Sequence, residues 1–146
     1  SGYVHNVWPT DDGRHVVTTE ETGGRTVKVW DISDADNVEL VGEYLGASKL
    51  AHNAHVLGDR VYLSHYTAGV TVVDISDPEN PEEIARYDTY APNDTTGFFG
   101  NWGAFPYTNG GYVYASDLEG KLTVLRVKSK ETSALEPRQQ GAPRKP

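Results

Sequence analysis

An all-β architecture of short antiparallel strands is predicted by three features of the sequence. The first is composition: 15 glycines, 8 prolines, 9 tyrosines and 3 tryptophans, with no methionine, in 146 residues. That balance favours short extended segments joined by turns over helix. The second is local pattern, since segments of five to eight residues rich in Val, Tyr, Thr and Ile lie between Gly, Asp, Asn and Pro. The third is order: four such phrases occur, and then recur in the same sequence.

Tyr3 to Trp8 (YVHNVW) reads as a first strand and Gly13 to Thr19 (GRHVVTT) as a second. Thr26 to Ser33 (TVKVWDIS) reads as a third, in which Thr26 and Lys28 alternate with Val27 and Val29. Val38 to Tyr44 (VELVGEY) closes the set. The same phrases return at 51–55 (AHNAH), 58–65 (GDRVYLSH), 69–76 (GVTVVDIS) and 81–87 (PEEIARY). A third copy has 101–106 (NWGAFP), 111–116 (GYVYAS) and 121–127 (KLTVLRV), with no fourth phrase. Four meandering strands per repeat of about 45 residues describe a propeller blade. The expected fold is therefore a β-propeller segment of about three four-stranded blades, at about 3–45, 51–90 and 100–128, the third lacking its outer strand. A single sandwich explains the strand number but not the recurrence.

Several functions are excluded early. With no cysteine there is no disulfide framework, thiolate metal site or thiol nucleophile. No apolar run is long enough for a membrane-spanning helix. The net charge of −8 hides an asymmetry, because from Lys128 onward five basic residues face only Glu131 and Glu136. An acidic body repels phosphate, so nucleic acid is not an expected partner. The basic, proline-containing tail at 129–146 is expected outside the blade core, laid against an acidic surface.

Trp30-Asp31 is similar to the dipeptide of WD repeats, but the upstream Gly-His of those repeats is missing. Residues 72–81 (VVDISDPENP) resemble the LVIVD repeat instead. With His52-Asn53, the 64–69 phrase SHYTAG and the 113–117 phrase VYASD, the chain resembles the final part of choice-of-anchor B family proteins. That resemblance implies a propeller and an extracytoplasmic, secreted or cell-surface setting of bacterial type, and it carries no enzymatic activity.

Candidate chemistry is sparse. The acidic phrases 31–37 and 74–80 (DISDADN, DISDPEN) read as backbone-capping turns, with calcium as the alternative. His5 and His52 share one repeat position, whose third member is Trp102; Trp8, His55 and Phe105 share the position three residues on. First strands line a propeller's channel, so equivalent side chains there form a ring, with His5 and His52 expected to face one another across the channel mouth. His5 and His52, flanked by Asn6 and Asn53, either link adjacent blades or, with oxygen ligands, hold a divalent ion such as zinc or calcium. Ser64, His65 and Asp117 make no hydrolytic triad, because adjacent strand residues point to opposite faces. Aromatics concentrate at 87–107, where Phe98, Phe99 and Trp102 are candidates for an interface.

The expectation is a non-enzymatic binding or structural module without a cofactor, the alternative being a metal-dependent enzyme or metal-binding module with its site at the propeller channel, using His5, His52 and His55. Propellers close with about four to eight blades, so a partner is expected to complete this one. The remaining blades of a precursor or a second copy of the chain would serve.

Overall fold

The computed structural model describes residues 2–93, 95–128 and 135–137. Its strands are β1 (Val4–Pro9), β2 (His15–Glu20), β3 (Val27–Asp31), β4 (Glu39–Tyr44), β5 (Asn53–Leu57) and β6 (Arg60–Ser64). There follow β7 (Val70–Asp74), β8 (Glu82–Tyr87), β9 (Asn101–Phe105), β10 (Tyr112–Asp117), β11 (Leu122–Val127) and β12 (Leu135–Pro137). Among the described residues there is no helix, and therefore none long and apolar enough to cross a membrane.

The strands form three antiparallel meanders in chain order, β1-β2-β3-β4, β5-β6-β7-β8 and β9-β10-β11-β12. The repetition in sequence is repeated in register. β2 pairs with β3 from His15↔Asp31 to Thr19↔Val27, and β6 pairs with β7 from Arg60↔Asp74 to Ser64↔Val70. Both third-to-fourth pairings bulge at the equivalent place, between Val29 and Trp30 and between Val72 and Val73. A bulge of this kind bends and twists the outer strand.

The acidic phrases are turns built alike in both copies. Asp31 Oδ1 accepts from the Ser33 amide at 2.7 Å and Asp34 Oδ1 from that of Asp36 at 3.0 Å. Asp74 Oδ1 accepts from the Ser76 amide at 2.9 Å and Asp77 Oδ1 from that of Glu79 at 3.2 Å. These carboxylates thus satisfy backbone amides two residues on.

The third sheet has the three full-length strands expected of it. Its outer position, expected to be empty, takes a three-residue segment from the tail: β12 pairs with β11 from Leu125↔Pro137 to Val127↔Leu135. A run of three residues containing a proline gives no strand signal of its own. The rest of the tail, 129–134 and 138–146, lies outside the described residues.

Two cores separate the three sheets. Val17, Val27 and Val29 of the first sheet pack against Ala54, Val56, Val61, Leu63 and Val73 of the second. The opposite face of the second sheet, with Tyr62, Val70, Val72 and Ala85, packs against Ala104, Val113, Ala115 and Leu125 of the third. This explains why β6 and β7 are apolar almost throughout while β10 alternates: the middle sheet is covered on both faces, the third on one.

Candidate functional site

The inner strands bring the predicted channel residues together at one end of the sheets. His52, immediately before β5, is 2% exposed and is held by its backbone, its carbonyl accepting from Thr19 Oγ1 at 2.6 Å. Its ring lies 4.4 Å from that of His5, nearly parallel, and 4.0 Å from that of Trp102. The three members of the repeat position therefore form a consecutive stack, each from a neighbouring sheet. His5 and His52 do not face one another across an opening.

Two residues outside the sequence-based list complete the cluster. Glu21, just past β2, accepts at Oε1 from His52 Nδ1 at 2.7 Å and lies 3.5 Å from His5 Nδ1 through Oε2. The Tyr66 hydroxyl donates to the same Oε1 and lies 3.2 Å from His52 Nδ1. Tyr66 is 1% exposed and has φ of 48°, a left-handed conformation that bulky residues adopt only when the surroundings enforce it. Tyr66 O accepts from the Asn101 amide at 3.0 Å, which fixes that backbone against the third sheet. A signal for both residues existed, since Glu21 follows Thr19 and Tyr66 follows Ser64 by the same two positions.

Electrostatics assign the charges. Burial would raise the Glu21 carboxyl, but hydrogen bonds from Tyr66 and His52 and the proximity of His5 outweigh it and hold its pKa below the usual value. Burial lowers His52, partly opposed by its bond to Glu21. The resting state is then an ionised Glu21 beside a neutral His52 that donates from Nδ1. Tyr66 is raised by burial and by Glu21, and stays a phenol.

The other candidates are dispersed. Asn6 Oδ1 accepts from the Ala54 amide at 3.0 Å, a bond between the first and second sheets. Asn53 is half-buried at the start of β5. The His55 ring lies 4.6 Å from that of Trp8, tilted by 53°, and meets Tyr107 edge-on, while Tyr107 donates to Val56 O at 2.7 Å. Burial lowers His55. Phe105 is exposed and touches Tyr107 rather than His55. Phe98 meets Tyr66 edge-on, Phe99 stacks on Tyr90, and Trp102 remains 45% exposed. Ser64 and His65 are both buried, and His65 Nδ1 faces Thr71 Oγ1 at 3.3 Å. Asp117 is bonded by Asn101 Nδ2 at 3.3 Å, so the three residues form no triad.

Residues 50–89 match the model of the LVIVD repeat, which spans the second sheet and the approach to it. No curated protein matches the chain in sequence. Among solved structures, a Bacteroides uniformis protein described as a candidate 6-phosphogluconolactonase is similar with a TM-score of 0.71 at 16% identity, over 94% of this chain and 40% of that one. The Cps50 (Swd1) β-propeller domain of Myceliophteria thermophila is similar with a TM-score of 0.67 at 13% identity, over 91% of this chain and 39% of that one. The fold is that of a β-propeller, and this chain spans about two fifths of the length of the two structures.

Proposed function

We propose that this LVIVD-containing segment is a non-enzymatic structural and binding module of a larger extracytoplasmic propeller, completed by further blades. One observation carries the reading: the middle sheet buries both faces, while among the described residues the outer faces of the first and third sheets have no partner sheet. On the third, the pairings Tyr114↔Phe105 and Ser116↔Leu122 align Phe105, Tyr114 and Leu122 on one exposed face. On the first, Val4, Val7 and Leu40 lie exposed on the face that carries Trp30. Apolar sheet faces and free strand edges of this kind are what propellers cover by closure.

The span of about two fifths of each solved relative supports completion by more blades of similar kind. The lactonase name belongs to the neighbour that carries it, since at 16% identity the likeness extends to fold alone. The extracytoplasmic setting is supported by the likeness of the repeated phrases to choice-of-anchor B proteins.

Light scattering tests completion. The chain purified alone is expected to self-associate or precipitate and to become monodisperse when co-expressed with additional blades. A compact, well-behaved monomer of 16.0 kDa would overturn the reading. Fractionation of cells expressing the intact protein tests its location, and retention in the cytoplasm would overturn that part.

A further inference from the structure

His5, Glu21 and His52 are drawn together from two sheets, and their ligand atoms all lie within 4.8 Å of one another. We propose that these three side chains form a binding site for a first-row transition-metal ion of the zinc class. The inference goes beyond the structural reading above and stands independently of it.

Donor chemistry selects the ion. Two imidazole nitrogens and one carboxylate suit zinc and its borderline neighbours, whereas calcium and magnesium require shells made of oxygen. Three protein ligands leave a fourth tetrahedral position for water, and the exposed His5 and Trp102 mark the side from which solvent reaches it.

The site is also preorganised. The His52 ring is confined between those of His5 and Trp102, and its backbone is fixed by Thr19. The carboxylate of Glu21 is oriented by the Tyr66 hydroxyl, the role that an outer hydrogen bond plays around a metal ligand. The left-handed backbone of Tyr66 places that hydroxyl, so local strain is coupled to the orientation of a ligand. In the free state, the proton on His52 Nδ1 occupies the space between the imidazole and Glu21. The ion replaces it there, and the neutral imidazole carries its single proton on Nε2 instead. Such a tautomer exchange needs no net proton release and only a small movement of the carboxylate.

Titration of zinc into the intact protein that carries this chain, stripped of metal by dialysis against chelator, tests the site. One ion per chain is expected at this cluster. His5→Gln, at an exposed position, and Glu21→Gln are each expected to weaken that binding by at least about tenfold, while His15→Gln on β2 leaves it unchanged. Ring resonances of His5 and His52 in the parent should shift together with one equivalent of zinc, and those of His15 should not, which keeps the test sound if a variant folds poorly. Zinc affinity unaltered in both His5→Gln and Glu21→Gln, or resonances that stay in place, would overturn the proposal. So would calcium occupying the site in preference to zinc.

Discussion

His65 shows how burial alone sets a charge state. Enclosed to within 1% exposure, it has a pKa lowered to about 4, by loss of solvation first and by the charge of Arg86 second. An unfolded histidine titrates near 6.5, so between these values the unfolded chain binds a proton that the folded chain refuses. Stability attributable to His65 is therefore complete above about pH 6.5, falls as the pH drops, and is lost by about pH 4. The loss is at most roughly 3 kcal/mol. Urea midpoints at pH 7 and pH 4.5 should fall further apart in the parent than in His65→Gln, and equal separations would refute the assignment. Gly69 poses a backbone question at the same scale. Its φ is +76°, and an added Cβ would lie 2.1 Å from Tyr87 O. Gly69→Ala should cost more than about 3 kcal/mol by combining strain with collision. Gly58→Ala, at φ +57° in open space, should cost only about 1–2 kcal/mol in the same thermal melts.

Among the elements, the middle sheet bears most of the packing. Leu63 on β6 faces the first sheet and Leu125 on β11 faces the second, both fully enclosed. Truncating either to alanine should destabilise by about 2–5 kcal/mol, as a large-to-small change in a packed core does. Because the two lie in separate cores, the double variant should lose close to the sum of the single losses in denaturant unfolding. A double loss well below that sum would mean that one sheet interface had already opened in a single variant. The bulges shared by β3–β4 and β7–β8 show that the repeat conserves bending as well as pattern between its two copies.

For the whole molecule, the decisive positions are those left uncovered. Leu122 is 70% exposed on the outer face of the third sheet, where the proposed neighbouring blade would lie. In the intact protein Leu122→Ala should therefore behave as a core truncation and cost about 2 kcal/mol or more. A change under about 0.5 kcal/mol, the ordinary effect of a surface substitution, would show that nothing covers that face. Thermal unfolding of the intact parent and variant distinguishes the two.

The sequence by itself determined the strands, their order and the equivalence of positions between copies, because alternation and turn chemistry are local and repetition makes local patterns comparable. Asp31 and Asp74 were legible as turn residues for that reason, and so was the row His5, His52 and Trp102. The outer segment β12 was not, since three residues paired to β11 owe their strand to the partner edge rather than to their own pattern. Tertiary structure alone decided that His5 and His52 stack side by side and share Glu21, and that Tyr66 adopts a left-handed backbone to reach that carboxylate. Those facts depend on how neighbouring sheets are set against one another. That placement is fixed by packing across two cores, a sum over many distant side chains that no single phrase of the sequence contains.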